Sequence, residues 1–172
     1  MKKLQYLLAS TLLLAGIAAG PVSLRAQAPP ATDDKAAIKA IYDQYNVNFE
    51  KKDVNAIMTM YALDVFAFDA IPPREYPTWA AYKKDWEGFL SMFPGSATSS
   101  IAELNISVAG SVAYTHCVND FTLTAADGSK TRMVVRITDV LRKRDGKWLI
   151  VQEHVSFPVD PATGKADMLS MP

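Results

Sequence analysis

The sequence is poor in the residues that form disulfides and metal sites. Its 172 residues include one cysteine, Cys117, and two histidines, His116 and His154. A single cysteine excludes an internal disulfide, and two histidines on separate predicted strands lack the clustered ligands of a metal site. No glycine-rich loop of the kind that cradles a phosphate is present. We therefore expect no cofactor, and a fold stabilised by packing, with Cys117 as a small core residue.

An excess of positive charge is also missing. The chain has 18 Lys and Arg residues against 18 Asp and Glu residues. Three of the basic residues lie within residues 1–28, which contain no acid, so the rest of the chain has a formal charge near −3. Nucleic-acid binding usually requires a basic patch. We therefore expect no nucleic-acid partner.

Residues 1–28 have the pattern of an export signal. Lys2 and Lys3 precede an apolar run over residues 4–19, and Ala26-Gln27-Ala28 matches an Ala-x-Ala cleavage site. A retained membrane anchor is the alternative, but the run is shorter than the roughly 20 apolar residues that span a bilayer. We expect cleavage, a periplasmic or secreted protein of the bacterial envelope, and no membrane attachment after signal removal. Residues 29–34 form a short leader.

The first half of the remaining chain predicts three helices and one strand. Apolar residues at spacings of three and four mark the first helix, and they are Ile38, Ile41, Tyr42, Tyr45 and Phe49. Asp53 is the expected cap of a short second helix, and Thr78 is the expected cap of a third. Residues 65–69 predict a strand that ends before Pro72-Pro73.

The second half predicts four strands, at about residues 101–108, 112–123, 130–143 and 147–157, separated by glycine-containing turns. Helices followed by a run of strands favour an α+β domain, which we place at residues 35–158. We expect a cone-shaped, curved antiparallel sheet wrapped around three N-terminal helices and enclosing a cavity. Residues 159–172 are expected to form an irregular C-terminal tail.

The last two predicted strands are joined at Asp145-Gly146, where two turns are possible. A three-residue loop pairs Lys143 with Lys147, whereas a two-residue turn pairs Arg144 with Lys147 and reverses the facing of one strand. We favour the three-residue loop because it places the polar side chains on one face of the hairpin and the apolar side chains on the other. Arg136 then lies opposite His154, and Thr138 lies opposite Gln152. We expect this polar row, which ends at Ser156, to face the cavity.

The other face of the same hairpin is apolar, and its residues include Val135, Ile137, Leu149, Val151 and Val155. Asp139 and Glu153 interrupt this apolar face. We predict that it forms the outer surface of the sheet, where an exposed apolar patch of this size needs a partner. A homodimer through this face is the expected assembly.

The run from Arg142 to Pro158 resembles the closing hairpin of the nuclear transport factor 2-like superfamily, in its exported SnoaL-like and ketosteroid-isomerase-like branch. Residues 61–64, 68–73 and 82–86 are similar to the same branch, and the resemblance covers about residues 33–158. It implies a cone-shaped cavity and, in many members, a dimer. It implies no single activity, since the superfamily contains isomerases, dehydratases, cyclases, hydrolases and binding modules. Relatives often have histidine where this chain has Gln152.

Two residues are the candidate catalytic groups. His154 titrates near neutral pH, and Asp69 stands where the first strand breaks into the Pro-Pro loop, at a position where the resembling proteins have an acid. Arg136 stays charged and needs an anion if it faces a cavity, which is either Asp69, another carboxylate or the ligand. The candidate ligand-binding residues are Arg136, Thr138, Gln152, Trp86, Tyr45 and Tyr82.

These observations favour a cavity protein that binds a small organic molecule, with an anionic ligand suggested by Arg136. The first alternative is an enzyme of the isomerase, dehydratase or cyclase kind with His154 or Asp69 as general base. The second alternative is a dimeric interaction module.

Overall fold

The computed structural model describes residues 31–171, so the predicted signal and the start of the leader lie outside the described residues. Its elements in chain order are α1 (Ala31–Glu50), α2 (Val54–Met58), β1 (Tyr61–Phe68), α3 (Trp79–Ser91), β2 (Ala97–Ala109), β3 (Val112–Thr124), β4 (Lys130–Arg144) and β5 (Lys147–Ser156). Within residues 31–171, no helix is long and apolar enough to cross a membrane.

The helices form where the sequence predicts them. Asp53 caps α2 by accepting a hydrogen bond from the backbone N–H of Ala56 at 3.0 Å. Thr78 caps α3 in the same way, with the N–H of Ala81 at 3.2 Å. The buried stripe of α1 consists of Ile38, Tyr42, Tyr45 and Phe49. This stripe and the inner face of α3 pack against the sheet.

The five strands form one sheet in the order β1-β5-β4-β3-β2. Strands β2 to β5 are antiparallel neighbours, and β1 adds to β5 as a parallel edge strand. β1 begins at Tyr61 rather than at the predicted Val65, because α2 ends at Met58 and the chain enters the sheet almost at once. The α+β class and the curved sheet around N-terminal helices are confirmed.

The predicted three-residue loop between β4 and β5 is wrong. Arg144 pairs with Lys147, and the turn residues Asp145 and Gly146 have φ angles of 50° and 79°. Two consecutive residues with positive φ form a type I′ turn, whose twist suits a tight hairpin. A glycine at the second position adopts this conformation without steric cost.

A register shift in the same hairpin changes the pairing farther from the turn. Leu141 pairs with Ile150, but Val140 pairs with Gln152, so Val151 is the extra residue of a bulge. Beyond the bulge, even-numbered residues of β4 pair with even-numbered residues of β5, as the three-residue loop had predicted. Thr138 therefore lies opposite His154, and Arg136 lies opposite Ser156. The predicted pairs Arg136–His154 and Thr138–Gln152 do not form.

The predicted facing of the hairpin is also wrong. The polar row does share one face, but this face points away from the helices, where Arg136, Thr138 and His154 are exposed and Gln152 and Ser156 are half-buried. The opposite face, with Val135, Ile137 and Val155, packs toward the helices. A sheet with one solvated side buries its more apolar face, and here that face also carries Asp139 and Glu153 into the interior.

Candidate functional site

A cavity lies between α1, α3 and the inner face of the sheet. Its volume is about 780 Å³, which includes the part that is open to solvent. The walls are mainly aromatic and aliphatic and include Phe49, Met60, Trp86, Phe89, Ile101, Phe121, Met133, Val135, Ile137, Ile150, Val155 and Phe157. Such walls are typical of a small-molecule pocket.

Four acids interrupt these apolar walls, and they are Asp69, Asp85, Asp139 and Glu153. Within residues 31–171, no Lys, Arg or His lines the cavity. The acids therefore depend on tyrosine hydroxyls and backbone N–H groups for hydrogen bonds. Buried carboxylates without a cation are costly, so the cavity favours their protonated forms.

Glu153 is held by two tyrosines. Tyr61 donates to its Oε2 at 2.9 Å, and Tyr82 bonds to its Oε1. The Tyr82 hydroxyl also lies 3.1 Å from Asp69 Oδ2. Because a hydroxyl has a single proton, Tyr82 satisfies both carboxyl groups fully only when one of them is protonated and donates. Asp69, Tyr82 and Glu153 thus form one hydrogen-bonded chain from the half-buried Asp69 to the buried Glu153.

Asp139 is hydrogen-bonded by another tyrosine, Tyr42. Tyr42 donates to Asp139 Oδ2 at 2.6 Å, and the same hydroxyl contacts Thr115. Asp139 is the direct cross-strand partner of Glu153, which links the two acids in the sheet ladder.

Burial sets the pKa values of these acids. It is the largest cause that raises the pKa of Glu153 well above its usual value, and the neighbouring Asp139 adds to the rise while Tyr82 opposes it. Burial raises the pKa of Asp139 to about 6 against the opposing hydrogen bonds of Tyr42 and Glu153. The pKa of Asp69 is also raised by burial. The cavity therefore holds its protons to higher pH than exposed carboxyl groups would.

Several predicted site residues come together in this cavity. Asp69, Trp86, Tyr45 and Tyr82 all line it. Asp69 Oδ1 accepts from the backbone N–H of Ala70 at 2.6 Å rather than from Arg136. The predicted pairing of Asp69 with Arg136 is wrong, because Arg136 lies on the other side of the sheet.

The remaining predicted residues lie outside the cavity. Arg136, Thr138, Gln152 and His154 stand on the outer face of the sheet, and the prediction that they face the cavity is wrong. The ring of His154 packs edge-on against Phe68, with centroids 5.7 Å apart. An ordinary alternation of side chains along β4 and β5 separates this row from the interior.

Asp139, Glu153, Tyr42 and Tyr61 were not among the predicted site residues. The signal for the two acids was present in the sequence, since each interrupts a row of apolar residues on one face of the hairpin. An acid on a core face requires a partner or a function. The tyrosines gave no such signal, because at helical or strand spacing they are indistinguishable from ordinary core residues.

Comparison with known protein families identifies this arrangement. The model of the SnoaL-like domain matches residues 38–160, which includes the cavity and every strand of the sheet. The chain belongs to the SnoaL-like domain family. No curated protein matches the chain.

Solved structures of similar fold support the assignment. A nuclear transport factor 2-like protein of unknown function from Pseudomonas putida is 28% identical, with 82% of this chain and 98% of that chain covered and a TM-score of 0.74. A protein from Novosphingobium aromaticivorans, provisionally named as a scytalone dehydratase, is 15% identical, with 83% and 97% covered and a TM-score of 0.67. A protein from Xanthomonas campestris, provisionally named as a calcium/calmodulin-dependent protein kinase II association domain, is 26% identical, with 69% and 84% covered and a TM-score of 0.62.

Proposed function

We propose that this SnoaL-like domain binds a small, uncharged, largely apolar organic molecule in its cavity. The supporting observation is the Asp69–Tyr82–Glu153 chain, which places hydrogen-bonding acids in an aromatic cavity without a basic side chain among its described lining residues. An anion would meet like charge in a poorly solvated space. The expectation of an anionic ligand depended on Arg136 and loses its basis, because Arg136 is exposed on the outer sheet face.

Binding of matched naphthalenes tests this proposal. Isothermal titration calorimetry at pH 7 compares neutral 2-naphthol with anionic 2-naphthoate. We expect 2-naphthol to bind at least about tenfold more tightly, since a charge without a partner costs more than one hydrogen bond. Equal or tighter binding of 2-naphthoate would contradict the proposal.

A pair of variants assigns that preference to the cavity acids. Asp139→Asn removes a buried carboxyl group and should weaken the discrimination against 2-naphthoate. Asp120→Asn is the matched control, because Asp120 pairs with Arg132 on the protein surface at 2.7 Å and should leave the preference unchanged. The same effect in both variants would show that the preference does not come from the cavity.

A second candidate function is proton-transfer catalysis of the isomerase or dehydratase kind, with Asp69 as general base. It is favoured by the position of Asp69, which is half-buried, has a raised pKa and is linked through Tyr82 to Glu153. A base of this kind removes a proton beside a carbonyl group, and a neighbouring O–H stabilises the negative charge that develops on the oxygen. His154 cannot serve the cavity in this role because it is exposed on the other sheet face.

Deuterium exchange into 2-tetralone, a small apolar ketone, tests the catalytic proposal. Proton NMR in D₂O follows the loss of its α-protons with and without protein. The exchange should exceed the buffer rate and fall by about 10²- to 10⁴-fold in Asp69→Asn. Asp64→Asn is the matched control, since Asp64 pairs with Arg144 at the surface. Exchange no faster than in buffer would contradict catalysis of this reaction type while leaving the binding proposal intact.

We propose further that two copies of the chain associate through the outer sheet face. The face carries exposed aromatic rings, because Tyr114 is 50% exposed and stacks on His116, and Phe68 is 38% exposed beside His154. The similarity to a protein named as an association domain gives independent support. Sedimentation velocity at micromolar concentration should show a dimer that Tyr114→Glu dissociates. A monomer in the unsubstituted protein would contradict this assembly.

A further inference from the structure

An open groove on the protein surface lies beside the cavity. We call it the α3 groove, because its floor is the outer side of α3 and its C-cap, where Lys84, Gly88 and Met92 follow at spacings of four residues and so lie on one side of the helix. Its wall is the loop after β1, which contributes Ile71 and Pro72. Within residues 31–171, the three floor residues lie outside the lining of the cavity.

The α3 groove and the cavity share part of their walls. Ile71, Asp85 and Phe89 line both spaces, and all three are half-buried. The cavity therefore borders the groove at these residues. The Tyr76 hydroxyl donates to Asp85 Oδ1 at 2.7 Å and lies 3.1 Å from the carbonyl oxygen of Pro72. This contact holds the loop against α3, so the groove is formed before any ligand binds.

Gly88 has no evident structural reason to be a glycine. It lies inside α3, where glycine is less favourable than alanine because ordering its backbone costs more entropy. Its backbone is helical, and no atom of the described chain lies within 4 Å of the place that a Cβ would take. Neither backbone conformation nor close packing within the protein therefore requires glycine here. A glycine at such a place lets another molecule approach the helix backbone closely.

The groove suits an apolar occupant. The half-buried side chains of Ile71 and Phe89 provide aliphatic and aromatic surface, and Met92 is 58% exposed at the end of the helix. A methionine side chain is flexible and adapts to contacts of different shape. Lys84 is exposed, and its aliphatic stem can cover apolar surface while its ammonium group stays in water. Asp85 and Met92 lie about 10 Å apart along the helix axis, so a chain of several methylene groups can lie between them.

We propose that the ligand of the cavity carries an aliphatic chain that leaves between Ile71 and Phe89 and lies in the α3 groove, over Gly88 and toward Met92. The inference rests on the proposed binding function and adds a class of ligand to it: a molecule with an apolar body inside the cavity and an alkyl chain outside. Gly88 then determines specificity, because its missing side chain leaves space for the alkyl chain.

A series of alkylated naphthols tests this inference. Calorimetry at pH 7 compares 2-naphthol with 6-butyl-2-naphthol and 6-hexyl-2-naphthol, whose chains lie opposite the hydroxyl group. Each methylene group that is fully removed from water tightens binding by up to about fourfold. Because the groove is open on one side, we expect the hexyl compound to bind at least about tenfold more tightly than 2-naphthol.

A filled groove separates binding outside the cavity from binding inside it. Gly88→Trp adds a large side chain to the floor of the groove and should abolish most of the gain from the hexyl chain. The affinity for 2-naphthol should stay within about twofold, as for surface changes in general. Glu87→Trp is the matched control, because Glu87 is the exposed neighbour of Gly88 on α3 and is not among the described residues that line the cavity or the groove. It should preserve the gain.

Gly88→Ala tests the argument from the glycine separately. Urea unfolding of this variant should have the same midpoint as the unsubstituted protein or a higher one, since alanine is the better helix former. A lower midpoint would show that the fold itself requires glycine at this position, and would overturn the assignment of Gly88 to a ligand.

The binding outcomes distinguish this inference from the binding proposal. If 2-naphthol binds and the alkyl chains add no affinity, the groove is not a ligand site and the binding proposal stands. The same holds if the hexyl gain persists in Gly88→Trp, or if Glu87→Trp removes it equally. If neither 2-naphthol nor its alkyl derivatives bind, the binding proposal fails, and the inference fails with it.

Discussion

Asp139 and Glu153 face each other across β4 and β5, and both carboxyl groups line the cavity. Like charges directly opposite in a sheet are destabilising, and burial adds to that cost. The pair therefore keeps at least one proton over the pH range in which exposed acids have lost theirs. The tyrosines around it donate the hydrogen bonds that a basic residue would otherwise provide.

The stability of the protein should fall as this pair ionises. An acid with a higher pKa in the folded than in the unfolded chain stabilises the fold most below its unfolded pKa. For Asp139 that contribution is lost as pH rises from 3.8 through about 6. It amounts to about 2 kcal/mol between pH 4 and pH 7.

Urea unfolding of the protein and of Asp139→Asn measures this effect. The variant should lose about 2 kcal/mol less of its free energy of unfolding over that range. Surface acids with lowered pKa values, such as Asp64 and Asp120, act in the opposite direction but equally in both proteins. Parallel pH profiles would show that Asp139 titrates as an ordinary acid.

Tyr82→Phe should destabilise the fold and disturb the acids. The hydroxyl contacts both Glu153 and Asp69, and its loss leaves buried carboxyl oxygens unpaired, at a cost of about 1–3 kcal/mol. The pKa of Glu153 should rise further, because Tyr82 opposes its present rise. Urea unfolding measures the loss. Tyr114→Phe on the exposed sheet face is the control. An equal loss of unfolding free energy in both variants would show that the Tyr82 hydroxyl does not stabilise the buried acids.

Substitutions on the outer face should leave ligand binding intact. Arg136→Ala and His154→Ala remove exposed side chains from the sheet face opposite the cavity. The affinity for 2-naphthol should stay within about twofold of the unsubstituted protein, as surface changes usually have small effects. Calorimetry provides the measurement. A tenfold loss of affinity in either variant would show that the polar row contributes to the binding site.

We also propose export, with cleavage after residues 1–28. The full chain expressed in a bacterial host should yield a periplasmic or secreted protein that begins near Pro29. Intact-mass measurement of the purified protein locates the cleaved bond. Recovery of the uncleaved chain from the membrane fraction would support a retained anchor instead.

Local signals in the sequence predicted most of the elements. The stripe from Ile38 to Phe49 and the caps at Asp53 and Thr78 depend only on nearby residues, and the structure confirms them. The resemblance of the last hairpin predicted the fold and the cavity. Asp69, Trp86, Tyr45 and Tyr82 were also correctly placed around it.

The direction of the last hairpin was not predictable in the same way. Separating the polar from the apolar residues of the hairpin correctly placed one set of side chains on the same face: Arg136, Thr138, Gln152, His154 and Ser156. A polar row fits a wet outer surface as well as a cavity, and the choice between them depends on long-range packing. The bulge at Val151 likewise cannot be predicted from the neighbouring residues, since it follows from the combined twist and curvature of the sheet.

A ¹³C NMR titration of the side-chain carboxyl groups, with and without 2-naphthol, tests most directly whether the buried acids form the binding site. The Asp139 signal, identified by its absence in Asp139→Asn, should titrate near pH 6 and shift when 2-naphthol binds. An Asp139 signal that titrates at its usual value of 3.8, or one that does not respond to bound 2-naphthol, would contradict a binding site at these acids.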